Sequence, residues 1–173
     1  MSISRKKNDL SHVEHEYLLR GFQHITRLAL SSLDLETILN NLAEEIIRVG
    51  IFRSLMIALV NEKDQTIEIV RNLINENMSA DEENPSVKVK YHKEMIGTRY
   101  ALEEDNVTPT TARTGVLQII ESLKDQRLDS RFDSTEKFWN EKVAYFIPVK
   151  LGNRTIAVLG TGSFQRQKPE MLR

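Results

Sequence analysis

Cysteine is absent from all 173 residues, which closes this chain to thiol nucleophiles, thiolate metal sites, iron–sulfur clusters, disulfides and thioether-tethered cofactors. Four histidines remain as soft ligands. His12 and His15 stand three apart beside Glu16, and His24 follows on the same helical stretch. Zinc needs further ligands at metal spacing, and none recur, so these side chains read as a solvated helix face and no metal site is assigned. His92 stands alone after Lys88 and Lys90 and before Lys93, a basic run of the kind that protects a sheet edge or meets an anion. Gly160-Thr161-Gly162 suggests a dinucleotide loop, but Gln165 occupies the third glycine position and no βαβ unit follows, so a strand end or bulge is expected there. The chain has no Gly-Lys-Ser/Thr for a phosphate loop and no Gly-x-Ser-x-Gly nucleophile elbow. Asp81-Glu82-Glu83 and Glu103-Glu104-Asp105 lack calcium-loop spacing and read as solvating loops. Three glycosylation sequons stand at Asn77, Asn106 and Asn153, but no apolar stretch follows the basic start at Arg5–Lys7, so a secretory route is not expected for them. Phe132, Phe138, Trp139 and Tyr145 carry large planar faces that serve equally for stacking on a ligand or for filling a core.

The elements that must position these groups follow from periodicity. Leu18, Phe22, Ile25 and Ala29 step by 4, 3 and 4 along a helical pattern from Leu10 to about Leu30, a seam that suits a neighbouring helix. Asp34 is set to cap a second helix, in which Leu35, Ile38, Leu39, Leu42, Ala43, Ile46 and Ile47 form one apolar stripe ended by Gly50. The period then changes. Leu55–Val60 is a continuous apolar run, as in a strand buried on both faces. Ile67 and Ile69 alternate with polar residues after an Asn61–Asp64 turn. Val87, Val89 and Tyr91 alternate with Lys88, Lys90 and His92 as a one-sided strand. Residues 94–140 mix short helices and connections without a clear period. Val143–Val149 and Thr155–Gly160 close the pattern as a hairpin about Gly152-Asn153, with Pro148 calling for an edge or a bulge. Lys168–Arg173 reads as the first turn of a helix with Pro169 at its start, so a fragment of a longer protein is expected.

Composition narrows the class. Hydrophobic residues at 40% and charged residues at 28% are those of a globular domain, and a net charge of −1 argues against a nucleic-acid surface. No apolar run approaches the ~18 residues that a membrane helix needs. A cytoplasmic location is expected.

Three phrases now carry a resemblance. "LDLETILNNLAEEIIRV" followed by "SLMIALVNEKDQTIEIV" resembles the opening of a GAF domain, "TARTGVLQIIESLKDQRLDSRF" its middle, and "VAYFIPVKLGNRTIAVLGTGS" its closing hairpin. Their order and spacing cover roughly residues 20–165. The resemblance implies an α+β fold: an antiparallel sheet of five or six strands, with terminal helices on one face and pocket-forming loops and short helices on the other. It implies a linker or signalling helix over 1–30, a sensory domain over 31–165 and the start of a helix over 166–173 that leads to an output domain. The function so implied is noncatalytic sensing of an unidentified small molecule in signal transduction, as in a sensor histidine kinase of a two-component system. Arg113 and Thr114 fall where the family closes its pocket, and with Phe132, Trp139 and Tyr145 they are the expected ligand residues. Arg113 could hold an anionic group, although a surface ion pair is the commoner role for such a residue. Leu18, Phe22, Ile25 and Ala29 are the expected homodimer seam. The cyclic-nucleotide signature Asn-Lys…Phe…Asp-Glu is replaced here by Glu136-Lys137-Phe138-Trp139-Asn140-Glu141-Lys142, and a covalent tetrapyrrole would need a cysteine. Several GAF domains hold haem through histidine, which leaves His92 as the residue for that role. The cofactor is thus left unassigned. A dimerisation scaffold with a filled pocket is the other reading, and a small sulfoxide-acting enzyme a remote third, since such relatives use cysteine.

Overall fold

The computed structural model describes residues 34–50, 52–77, 87–121, 125–128 and 143–163. Helix α1 (Leu35–Arg48) begins where Asp34 accepts from the backbone N–H groups of Glu36 and Thr37, at 3.3 and 3.1 Å. These bonds hold the Asp34 carboxyl below its usual range, the Thr37 hydroxyl contributing most. The helix buries Leu39, Ala43 and Ile47 of the expected stripe, while Leu35 stays exposed. Gly50 follows at φ +76°, the left-handed turn that lets the chain leave the helix.

Seven strands form one antiparallel sheet among the described residues: β1 (Ser54–Asn61), β2 (Thr66–Asn75), β3 (Val89–Tyr91), β4 (Arg99–Ala101), β5 (Gln118–Ile120), β6 (Val143–Leu151) and β7 (Arg154–Ser163). Their order is β3-β2-β1-β7-β6-β5, with β4 also paired to β2. A one-turn 3₁₀ helix (Lys93–Met95) joins β3 to β4, and a short helix α2 (Val107–Thr114) joins β4 to β5. Both β4 and α2 lie in the stretch whose periodicity gave no reading.

The two faces of the sheet are covered differently. α1 packs on one face, where Leu39, Ala43 and Ile47 meet Leu55, Ile57 and Leu73. The 3₁₀ helix, β4 and α2 cover the other, where Met95, Tyr100, Val107 and Ala112 meet Met56, Ala58, Ile67, Ile69, Phe146 and Val158. β2 serves both faces because Val70 is an extra residue: Ile57 pairs Arg71, but Ala58 pairs Ile69. Before this bulge Ile67 and Ile69 enter the loop-covered core; after it Leu73 enters the α1 core. A second bulge interrupts β6–β7, where Val149 pairs Ala157 but Lys150 pairs Thr155. Pro148 sits beside it. β5 reaches only Ala144–Phe146, so among the described residues β6 has one neighbour at Pro148, the local edge that a missing N–H requires.

One expectation is corrected. The strand expected from Val87 is only Val89–Tyr91; Val87 and Tyr91 keep 42% and 37% of their surface exposed, because β3 is the sheet's outer strand and only Val89 packs partly against the α1 core. Gly160-Thr161-Gly162 lies in the last four residues of β7, at the strand end expected there. A Cβ on Gly160 would stand 2.8 Å from Met56 Cε and 3.3 Å from Phe146 Cε1, so glycine there lets two core side chains close over the strand.

Candidate functional site

The loop-covered face is where polar groups meet a buried apolar floor. Ser54 alternates in phase with Met56 and Ala58 and so points to this face. Its hydroxyl is buried and makes no hydrogen bond among the described residues. Thr108, in the first turn of α2, is 1% exposed, and its hydroxyl also has no partner among them. Thr111, one turn on, is equally buried but donates to the Val107 carbonyl at 2.7 Å. Ser54 and Thr108 are therefore two polar groups of this face that the described residues leave unsatisfied.

The N-terminus of α2 offers nothing to an anion. Val107 N–H donates to the Arg127 carbonyl (2.9 Å), Thr108 N–H to the Asn106 side chain (3.0 Å), and Thr110 N–H to the Asn106 carbonyl (2.9 Å). Pro109 has no N–H to give. Arg127 itself holds Asp125 in a fork, Nη2 at 2.7 Å from one carboxylate oxygen and Nε at 3.0 Å from the other, and reaches Gln118 Oε1 at 3.2 Å. The pair lowers the Asp125 carboxyl and raises the Arg127 guanidinium, each chiefly through their shared side-chain hydrogen bonds.

Of the residues picked from sequence, Arg113, Thr114 and Tyr145 lie among the described residues, and none of the three enters the loop-covered core. Arg113 lies on the exposed side of α2 with its guanidinium on the Leu102 carbonyl, which ties the helix to the β4–α2 turn. Thr114 is exposed too. Its hydroxyl donates to the Thr110 carbonyl at 2.8 Å and accepts from Val116 N–H at 3.3 Å, closing the helix end before Gly115 at φ +60°. Tyr145 is fully buried on the opposite face, with Val143, Leu117 and Ile147, its ring 6.3 Å from that of Phe52. Ala144 and Phe146 take the loop-covered face, and strand alternation sends Tyr145 the other way. Phe132 and Trp139 lie outside the described residues, as do Leu18, Phe22, Ile25 and Ala29. His92 is buried at the start of the 3₁₀ helix with Nδ1 3.7 Å from Glu94. Among the described residues no three His, Asp or Glu side chains gather as a metal site would require, and no helix is long and apolar enough to cross a membrane. The Ser54–Ala58 alternation could have exposed Ser54 in the sequence, whereas Thr108 gave no signal because α2 itself was not foreseen.

A groove of about 330 Å³ opens elsewhere, where β1 and β7 part beyond Leu59↔Ala157. Val60, Asn61, Glu62, Arg154, Thr155 and Ile156 line it, and Arg154 and Glu62 pair at 3.0 Å. None of the residues singled out from sequence lines it.

The sequence matches no protein-family model and no curated protein. Solved structures do match. The GAF domain of A. aeolicus nlh2 in an inactive state is 11% identical, with a TM-score of 0.65 over 92% of this chain and 86% of that one. Residues 122 to 287 of a methyl-accepting chemotaxis protein are 17% identical, with a TM-score of 0.59 over 88% and 87%. Free methionine-R-sulfoxide reductase from Neisseria meningitidis, solved with its substrate, is 13% identical, with a TM-score of 0.59 over 91% and 79%. At these identities the likeness is one of fold: the chain has the α+β architecture of GAF domains.

Proposed function

We propose that this chain with the GAF fold is a noncatalytic regulatory module that binds a small molecule on the loop-covered face of its sheet and relays the binding to an output domain. The observation that carries the reading is the pair of buried hydroxyls, Ser54 and Thr108, that lack partners among the described residues. An unsatisfied buried hydroxyl costs about 1–3 kcal/mol, which a ligand with a matching donor or acceptor recovers on binding. The absence of cysteine supports a noncatalytic role, since thiol chemistry is closed to the chain. A thermal-shift screen of small polar metabolites tests the proposal. A hit should stabilise the wild type and lose most of its effect in Ser54→Ala or Thr108→Val; a hit unaffected by both substitutions places its site elsewhere, and a screen without hits sinks the sensory reading.

A second reading, a dimerisation scaffold with a filled interior, is favoured by one observation: Met56 and Phe146 already occupy the space over Gly160. Both readings use a homodimer through Leu18, Phe22, Ile25 and Ala29 in the helical pattern of residues 10–30, whose apolar seam needs a partner surface. Sedimentation of the wild type should show a dimer that Phe22→Asp dissociates. A wild type that stays monomeric at high micromolar concentration refutes the seam. Residues 1–30 as signalling helix, 31–165 as sensory domain and 166–173 as the lead to an output domain complete the proposal.

A further inference from the structure

The bulge at Val70 joins the two faces of the sheet mechanically. On the α1 face it presents Arg71, a cation that is almost wholly buried. Its guanidinium donates through Nε to Asn40 Oδ1 at 2.6 Å, through Nη1 to the Val70 carbonyl at 2.6 Å, and through Nη2 to the Glu36 carbonyl at 3.3 Å and to the Glu36 carboxylate. Glu36 and Asn40 are four apart on α1, and Glu44, four further on, accepts from Tyr91 Oη of β3 at 2.8 Å. A second, polar stripe of α1 is thus docked on the β2–β3 edge beside the apolar one.

Along the outer edge of β2 the segment from His92 to Thr98 grips the same bulge. His92 N–H donates to the Asn72 carbonyl at 2.8 Å, Gly97 N–H to the Ile69 carbonyl at 2.8 Å, and Ile69 N–H to the Thr98 carbonyl at 2.9 Å. These are the residues on either side of Val70 and Arg71. The segment also sends Met95 into the loop-covered core. A bulge that slips by one residue turns the side chains it passes to the other face, so whatever holds the bulge from one side decides what Arg71 can reach on the other.

We infer that Arg71 is the transmission joint of this domain: a change in the 92–98 segment moves the Val70 bulge and so tightens or releases the hold of Arg71 on Glu36 and Asn40 of α1. The inference rests on the sensory reading only for which face takes the ligand. Its linkage stands on the geometry, and its test needs no ligand. An effector acts through such a joint only if it favours one of the two arrangements of the bulge.

The test is hydrogen exchange on the full chain. Gly97 has φ +88° with nothing within 4 Å of an added Cβ, so Gly97→Ala strains the segment's backbone without a clash. Exchange of α1 amides should quicken at least about threefold in Gly97→Ala, with β6 and β7 unchanged. In an Arg71→Met background α1 should already exchange faster, and Gly97→Ala should add less than about twofold. If Arg71→Met does not fold, Glu36→Ala/Asn40→Ala removes two side-chain acceptors from the helix side and replaces it. The inference is overturned if Gly97→Ala quickens only residues 92–101, if it acts equally on β6 and β7, or if its effect on α1 persists undiminished without the clamp.

Discussion

Replacing Thr108 with valine should make this protein more stable. The two side chains have nearly the same shape, and valine removes a hydroxyl that is buried in the first turn of α2 without a partner among the described residues. The helix keeps its cap, because Asn106 bonds the backbone N–H of residue 108 and not its side chain. The orphaned hydroxyl costs about 1–3 kcal/mol, so its removal returns up to that amount. At about 2–4 °C per kcal/mol for a domain of this size, the midpoint of thermal unfolding rises by roughly 2–12 °C. Thr111 supplies the control. It is buried on the same helix one turn away, but its hydroxyl donates to the Val107 carbonyl at 2.7 Å. Thr111→Val loses that bond and should lower stability by about 0.5–1.5 kcal/mol. Calorimetry on the two variants and the wild type decides it. A fall in midpoint for Thr108→Val, or the same sign for both variants, would refute the claim that Thr108 is unsatisfied, and with it the reason for placing a ligand there.

Two further predictions concern the edge of the sheet. Glu76 lies between Lys90 Nζ at 2.7 Å and Lys88 Nζ at 3.0 Å, and their hydrogen bonds hold its carboxyl down at about 2. A carboxyl lowered on folding contributes stability above its ordinary pKa of 4.5 and loses it as pH falls toward about 2. Urea midpoints of Glu76→Gln should therefore converge on the wild type's between those values, and the gap at neutral pH should shrink with salt, since the group is exposed; a gap independent of pH would sink this. Tyr91 is raised to about 12, by burial first and then by its bond to Glu44. Ultraviolet difference titration of wild type against Tyr91→Phe should show one phenol ionising about two units above the ordinary value, and Glu44→Gln should bring it down; ionisation near 10 would mean that the bond to α1 does not form.

What the chain encodes locally could be read directly. The cap at Asp34, the stripe of α1, the turn at Gly50 and the closing hairpin each depend on residues within a few positions of one another, so period and capping chemistry suffice for them. The fold class was legible because helix, hairpin and hairpin appear in an order that the resemblance could use. The bulge at Val70 was not. It is a relation between β1 and β2, and without it Arg71 would follow Ile67 and Ile69 onto the loop-covered face rather than turn to Glu36 and Asn40. Strand β4 and helix α2 were equally hidden, being three and eight residues long and held by the sheet beneath them rather than by their own propensity. Tyr145 shows the limit most plainly. Val143 to Phe146 are all buried, so their hydrophobicity says that the strand has two covered faces but not which side chain meets which cover. Only the register with β7, and the packing of α2 on one face, decide that Tyr145 turns away to meet Phe52 while Phe146 meets the core beneath α2. The same long-range packing leaves the hydroxyls of Ser54 and Thr108 buried without partners among the described residues; alternation along β1 could give the face of Ser54 but not that its hydroxyl goes unmet.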